Sequence, residues 1–183
     1  GDVYKRQEYM QSFKDKVAVI TGAGSGMGQQ LAINLAKENC NLVICDINKK
    51  TIQETVKKWG RIDALINNAG TSKFAWDHSD LEQLDADDFL RIYSVNLVGP
   101  YQMVKHAKPY LLKSSNPRIT NISSIAGIKG IGSSVAYAAS KGALINMTKS
   151  LARALGPIRI NAVCPGFIQG DWLKNGLGAE TYE

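Results

Sequence analysis

The sequence predicts an α/β fold in which a doubly wound parallel sheet forms a single domain. Short, uniformly apolar segments alternate with longer segments whose apolar residues recur at helical spacing. Strands are uniformly apolar when helices cover both faces of a parallel sheet, because neither face is then exposed to water. The chain has 183 residues, within the range of about 100–200 that is typical of one domain. Its hydrophobic fraction of 44% is enough for a substantial core.

The apolar segments predict five strands, at residues 16–20, 41–45, 62–66, 118–122 and 158–163. The segments between them predict helices over residues 26–39, 85–113 and 137–155, and one after Asn48 that runs through Val56. Pro100 and Pro109 are expected to kink or break the helix over 85–113, because proline has no amide hydrogen to donate.

Residues 1–12 are interpreted as an N-terminal tail and residues 13–183 as the domain. Within the tail, residues 2–7 (DVYKRQ) resemble a translated sequencing-library adapter, so they are set aside from reasoning about the fold. The alternative is a short polar native tail.

Charge, cysteine usage and hydropathy restrict the function classes. The net charge is +6, but the 22 Lys and Arg residues are scattered, which argues against a nucleic-acid surface. The three cysteines lack metal-ligand spacing, so no metal site is expected. Long apolar stretches and a signal-peptide core are absent, so we expect no membrane partner and a cytoplasmic protein.

A glycine-rich turn joins the first predicted strand to the first predicted helix, over residues 22–28. Glycines there let the backbone approach a pyrophosphate, which binds the amide groups at a helix N-terminus. Asp46 follows Gly28 by 18 positions at the end of the next strand, close to the spacing of an acidic residue that binds ribose hydroxyls. A carboxylate repels a 2′-phosphate, so we expect NAD rather than NADP. Alternatively, Asp46 is an ordinary strand-end residue.

Tyr137 and Lys141 lie at positions i and i+4 of a predicted helix, on one face. A cation beside a phenol lowers its pKa, so Tyr137 could exchange a proton with a reacting oxygen. Ser124, after a strand, could hydrogen-bond that same oxygen. Taken alone, this tyrosine–lysine spacing is more often a surface coincidence.

Five motifs in order resemble the short-chain dehydrogenase/reductase family, over roughly residues 13–183. They are TGAGSGMG at 21–28, NNAG at 67–70, NISS at 121–124, YAASK at 137–141 and PG at 165–166. The resemblance implies a Rossmann-like fold and hydride transfer between a nicotinamide cofactor and a secondary alcohol or ketone. It also implies a homodimer or homotetramer that assembles through the helices holding Asn96 and Tyr137.

The resemblance also implies roles for individual residues. The catalytic set would be Asn96, Ser124, Tyr137 and Lys141, with Ser124 preferred to Ser123 because it precedes Tyr137 by 13 positions. Tyr137 would be the acid/base, and Lys141 would bind the nicotinamide ribose and lower the pKa of Tyr137. The other cofactor-binding residues would be Gly22, Ser25, Gly26, Met27, Gly28, Asp46, Asn67, Gly70, Pro165, Gly166 and Ile168.

The sequence departs from the family pattern at three places. Only 15 residues separate Asp46 from Ile62, too few for a helix, an edge strand and a second helix. We therefore expect the sheet to lack that edge strand. The chain also ends soon after Ile168, so we expect a C-terminal strand to be missing, and Gly170 stands where many members have threonine. These departures leave a second hypothesis open, a catalytically inactive dinucleotide-binding fragment or NAD-sensing module. The substrate is left open among thioesters, sugars and steroid-like alcohols.

Overall fold

The protein is described by a computed structural model that covers residues 12–45, 49–170 and 174. Its centre is a five-stranded sheet in which every neighbouring pair of strands is parallel. The strand order is β2-β1-β3-β4-β5. The strands are β1 (Val17–Thr21), β2 (Asn41–Cys45), β3 (Ala64–Asn67), β4 (Arg118–Ile122) and β5 (Arg159–Val163).

Six α-helices occupy the connections between and beside these strands. They are α1 (Gly26–Lys37), α2 (Lys49–Trp59), α3 (Ala86–Tyr93), α4 (Gly99–Leu111), α5 (Ala126–Lys129) and α6 (Val135–Ala154). None of these described helices is long and apolar enough to cross a membrane.

Helices cover both faces of the sheet, as the uniformly apolar strands predict. β1 is buried along its whole length, and its alternate residues enter two different cores. Val19 packs with Met103 and Val104 of α4, and side chains of α2 and α6 pack on the same core. Ile20 packs with Ala32 and Leu35 of α1 on the other face. The predicted doubly wound parallel sheet is therefore confirmed.

The prediction that proline breaks the long helix was wrong in its cause. The chain remains helical from Ala86 to Leu111, and a π-helical turn at Ser94–Val98 interrupts the α-helical geometry before the first proline. Pro100 lies in the first turn of α4, where an amide hydrogen would have no helical partner. Pro109 is accommodated inside α4.

β2 forms one edge of the sheet, as the short segment after Asp46 predicts. Between β2 and β3, the part of the chain that the structure describes contains α2 and no strand. β2 is only partly buried, and the side chain of Ile44 is 58% exposed. The amide and carbonyl groups on the outer side of β2 have no strand partner among the described residues.

Candidate active site

The predicted site segments meet at the carboxyl ends of the strands. The glycine turn follows β1, residues 68–70 follow β3, residues 123–125 follow β4, and Cys164 and Pro165 follow β5. Two hydrogen bonds hold the last two segments together, from Ser123 N to Val163 O at 2.7 Å and from Ile125 N to Pro165 O at 2.9 Å. Ligands of open α/β sheets bind at this end of the strands.

The glycine turn is shaped by contacts that exclude side chains. Gly22 has φ +62°, and a Cβ there would lie 2.7 Å from Ala69 Cα. A Cβ at Gly28 would lie 2.5 Å from Gly22 O. By contrast, Ser25, Gly26 and Met27 are exposed at the start of α1, where amide groups lack helical acceptors. The turn thus fits a pyrophosphate, which needs close backbone approach and free amide donors.

Thr21 and Asn68 connect the glycine turn to β3, and the sequence reasoning missed both as site residues. Thr21 Oγ1 accepts hydrogen bonds from Asn68 N and Ala69 N, each at 3.0 Å. Asn68 Nδ2 donates to Thr21 O at 3.1 Å and to Gly22 O at 2.9 Å. Both residues stand inside the quoted motifs, which was the available signal. Together they fix the turn against the end of β3.

The family resemblance would place Asn67 on the adenosine side of the cofactor, but its side chain is buried inside the protein. The residue is 2% exposed, and its Nδ2 donates to Asn121 Oδ1 at 2.8 Å inside the protein. Consecutive side chains at a strand end point to opposite faces, so Asn68, and not Asn67, faces the glycine turn. Any contribution of Asn67 to a cofactor surface must come from its main chain.

Asn96 is fully buried in the π-helical turn and braces the segment after β3. Its Oδ1 accepts from Thr71 N at 2.8 Å, and its Nδ2 donates to Thr71 O at 2.9 Å and to Ser140 Oγ at 3.0 Å. Gly70 is adjacent, because a Cβ there would lie 3.4 Å from Lys141 Nζ and 3.5 Å from Asn96 Oδ1. Asn96 therefore joins β3, the π-helical turn and α6. Single π-helical turns occur frequently at functional sites.

The two serines after β4 have different surroundings. The side chains of Ser124 and Tyr137 are hydrogen-bonded to each other, and Ser124 Oγ also accepts from Ala126 N at 3.1 Å. Ser123 is 3% exposed, and its Oγ donates to the main-chain oxygen of Lys141 at 2.8 Å. Ser124 is thus the serine beside the phenol, whereas Ser123 ties β4 to α6.

Lys141 reaches from α6 toward the end of β4. It is 3% exposed, its Nζ donates to Ile122 O at 2.8 Å, and Nζ lies 5.7 Å from the centre of the Tyr137 ring. Burial lowers the pKa of Lys141 to about 8, and the nearby Cys164 acts in the opposite direction.

The expected lowering of the Tyr137 pKa by Lys141 is wrong for the protein alone. Burial of the phenol raises the pKa of Tyr137, and the hydrogen bond with Ser124 offsets this only in part. The physical reason is that the loss of hydration destabilises the phenolate more than the hydrogen bond with Ser124 stabilises it. Both groups of the tyrosine–lysine pair are therefore biased toward their neutral forms.

The remaining candidate residues are placed as follows. Pro165 is half-buried beside the Ser123–Ile125 segment, while Gly166 and Ile168 are exposed, the latter at 49%. Asp46 lies outside the described residues. The structure thus brings together the glycine turn, Gly70, Asn96, Ser124, Tyr137, Lys141 and Pro165.

Comparisons with known proteins agree with this arrangement. The chain matches the short chain dehydrogenase family model over residues 16–58 and 48–177. It is 34% identical over 187 residues to the 3-oxoacyl-(acyl-carrier-protein) reductase FabG of Thermotoga maritima, covering 84% of this chain and 75% of the relative.

Two solved structures are similar as well. The ligand-free aldohexose dehydrogenase of Thermoplasma acidophilum superposes with a TM-score of 0.83 at 32% identity, covering 93% of this chain and 73% of that one. An NAD⁺-bound xylitol dehydrogenase gives 0.79 at 28% identity, covering 91% and 76%. With a family model that spans most of its length and a glycine turn, a serine–tyrosine pair and a buried lysine at one end of a parallel sheet, this chain belongs to the short-chain dehydrogenase family of oxidoreductases.

Proposed function

We propose that this protein transfers a hydride between NAD(H) and a secondary alcohol or ketone, with Tyr137 as the acid/base. The observation that carries the proposal is the hydrogen bond between Ser124 and Tyr137 beside the buried Lys141. An oxygen placed between a serine hydroxyl and a phenol can receive two hydrogen bonds while its charge changes.

The residues at the carboxyl end of the sheet fit a nicotinamide dinucleotide. Ala69 and Asn68 pack so closely on Gly22 and Gly28 that only glycines allow this tight turn, and the exposed start of α1 offers amide donors for the pyrophosphate. Lys141, Pro165, Gly166 and Ile168 would hold the nicotinamide half, and Gly70 would line the adenosine side. When bound, the reduced cofactor supplies the hydride that reduces a carbonyl carbon, and the oxidised cofactor accepts it in the reverse reaction.

Tyr137 donates its phenolic proton to the carbonyl oxygen during reduction and takes it back during oxidation. Its raised pKa keeps the phenol protonated at neutral pH, which suits proton donation. Ser124 holds the substrate oxygen against the phenol by a hydrogen bond. Lys141, when protonated, stabilises the phenolate that is left behind. Asn96 keeps Gly70 and α6 in place through Thr71 and Ser140.

We propose NAD as the preferred cofactor. The support is the carboxylate of Asp46 directly after β2, since a negative charge there disfavours the 2′-phosphate of NADP. We also propose a homodimer or homotetramer. The exposed apolar side chains Leu90, Val98 and Tyr101 on the helical stretch from α3 to α4 support self-association through that surface.

A second candidate function is dinucleotide binding without turnover. The observation that favours it is the partly buried edge strand β2, because the cofactor's adenosine side would rest on this open part of the sheet. An intact set of Asn96, Ser124, Tyr137 and Lys141 favours catalysis instead.

The experiment that tests the proposal is titration of the protein with NADH and separately with NADPH, followed by nicotinamide fluorescence. We expect saturable binding of both, with NADH tighter. A panel of secondary alcohols and ketones is then assayed with the unaltered protein and with Tyr137→Phe. Turnover that depends on Tyr137 supports the enzyme. Cofactor binding without turnover of any substrate supports the second candidate, and absence of cofactor binding overturns both.

A further inference from the structure

The segment that follows Gly70 is hydrogen-bonded to the residues that precede α6. This segment, residues 71–80, is here called the arm, and residues 130–134 between α5 and α6 are called the loop. Three contacts join them: Ser72 Oγ with Ser133 Oγ at 2.6 Å, Ala75 N to Ser133 O at 2.7 Å, and His78 Nε2 with Gly132 O at 3.1 Å. The arm and the loop therefore form one continuous surface.

This surface borders the catalytic phenol. Gly132 has φ +117°, and a Cβ at this position would lie 3.7 Å from Tyr137 Cδ1 and 3.0 Å from Ala126 Cβ. Ser134 caps α6 and accepts a hydrogen bond from Tyr137 N at 3.2 Å. A substrate held against Tyr137 would therefore lie next to the loop, to which the arm is hydrogen-bonded.

Internal contacts occupy most of the polar groups of this surface. Ser133 and Ser134 are buried, at 2% and 0% exposure, and both accept or share hydrogen bonds within the protein. The imidazole of His78 is engaged with the loop, and Lys73 pairs with Asp88 at 2.6 Å. A polyhydroxylated substrate would find few free partners here.

Although Asp77 and Lys129 are also exposed, four large apolar side chains on or beside this surface are exposed as well. They are Trp76 at 37%, Ile128 at 62%, Ile131 at 44% and Val135 at 39%. Trp76 also stacks on Phe74, with ring centres 5.6 Å apart. Exposed apolar side chains near a candidate reactive residue are typical of a surface that a ligand covers.

We propose that Trp76 and Ile131 are specificity-determining residues that select substrates with a hydrocarbon or aromatic group beside the reacting carbon, over polyhydroxylated ones. This inference rests on the proposed function and names its substrate class. Burial of the substrate's apolar group against these side chains favours binding in the ground state and the transition state alike. Each lost apolar contact therefore lowers kcat/KM for such substrates by about tenfold or more.

The test compares two ketones, 4-phenyl-2-butanone and erythrulose, with NADH as the second substrate. We expect the unaltered protein to give a kcat/KM at least about tenfold higher for 4-phenyl-2-butanone. Trp76→Ser and Ile131→Ser should lower that value about tenfold and leave the value for erythrulose unchanged. The matched control is Leu112→Ser, which removes a 48% exposed leucine at the far end of α4 and should alter neither value.

Two results would overturn the inference while the proposed function stands: a higher kcat/KM for erythrulose, or variants that slow both ketones equally. If neither ketone is reduced, saturation-transfer NMR tests directly whether 4-phenyl-2-butanone binds to the apolar surface. Binding that weakens in Ile131→Ser but not in Leu112→Ser supports the apolar surface in a protein without turnover on these ketones. Equal saturation-transfer signals from 4-phenyl-2-butanone with the unaltered protein, Ile131→Ser and Leu112→Ser overturn the inference.

Discussion

Asn67 and Asn121 are register partners on neighbouring parallel strands, and the side-chain amide of Asn67 donates a 2.8 Å hydrogen bond to Asn121 Oδ1. Asn121 Nδ2 donates in turn to Thr148 Oγ1 of α6 at 2.9 Å. Thr148 completes the chain by donating to Leu144 O at 2.7 Å. All three side chains are at most 5% exposed. This buried polar chain fixes α6, which carries Tyr137 and Lys141, relative to β3 and β4.

Breaking this chain should destabilise the protein. Thr148→Val keeps the side-chain shape but leaves Asn121 Nδ2 without its acceptor, which costs about 1–3 kcal/mol of the free energy of unfolding. Urea unfolding measures the change. Thr120→Val, at a neighbouring half-buried position of β4, serves as the control. An unchanged midpoint in Thr148→Val would show that the hydroxyl does not hold α6.

Ser123 and Ser124 should separate stability from catalysis. Ser124→Ala removes the partner of Tyr137, and we expect kcat to fall about 10²-fold or more while NADH affinity is retained. Ser123→Ala loses the buried hydrogen bond to Lys141 O, so we expect a lower free energy of unfolding, by about 1 kcal/mol. Steady-state kinetics and urea unfolding of both variants check this. A larger kcat loss in Ser123→Ala would contradict the assignment.

Gly22→Ala and Gly24→Ala form a matched pair for the cofactor turn. A methyl group at Gly22 collides with Ala69 and occurs at a positive φ, whereas nothing lies within 4 Å of a Cβ at Gly24. We expect Gly22→Ala to weaken NADH binding at least about tenfold, corresponding to roughly 1.4 kcal/mol, and Gly24→Ala to leave stability unchanged. Fluorescence titration and thermal unfolding measure the two effects. Equal affinity of Gly22→Ala and the unaltered protein would refute the tight-turn explanation.

Lys141 should make stability depend on pH in the alkaline range. Its pKa is about 8 when folded, against an ordinary value of 10.5, because burial disfavours the ammonium form. The unfolded chain therefore binds more protons between pH 8 and about 10.5, so the Lys141 contribution to the free energy of unfolding rises with pH there. The full effect is roughly 3 kcal/mol.

The measurement is the difference in free energy of unfolding between the unaltered protein and Lys141→Met, followed from pH 7 to pH 10. As pH rises, the free energy of unfolding of the unaltered protein should increase relative to that of Lys141→Met. The raised pKa of Tyr137 acts in both proteins and cancels to first order. A difference that is flat over this range would mean that the lysine is better solvated than its burial indicates.

Asp63 should make the protein sensitive to acid. Burial acts to raise its pKa, but hydrogen bonds from Ser114 Oγ at 2.6 Å and Val17 N at 2.8 Å, with Arg61 nearby, give a net lowering. Its stabilising contribution is present above the unfolded pKa and is lost as pH falls through the folded pKa. At pH 7, the urea concentration at the midpoint of unfolding should be lower for Asp63→Asn than for the unaltered protein. The difference between the two midpoints should become smaller toward pH 3. Glu38→Gln, on the exposed end of α1, should show no such difference.

The strands and the family were predictable, and the orientation of neighbouring side chains was not. Uniformly apolar segments placed all five strands within two residues at either end. The ordered motifs indicated Ser124, Tyr137 and Lys141 before any geometry was known. Asn67 and Asn68 are identical in type, and only the strand's pleat decides which one faces the turn. The Tyr137 pKa depends on how burial balances against a hydrogen bond, which requires distances. The arm contains no motif, so its contacts with the loop appear only in three dimensions.

The position of β1 between β2 and β3 has a consequence for how the protein is made. Thr21 leaves the ribosome early, yet the amide groups that it binds belong to Asn68 and Ala69, 47 and 48 residues later. The nucleotide-binding turn therefore stays unfinished until β3 has been synthesised and paired. The part of the candidate site that holds Ser124, Tyr137 and Lys141 also needs α6, which follows β4 in the chain. We therefore expect the glycine turn to form before the Ser124, Tyr137 and Lys141 part of the site as the chain is synthesised.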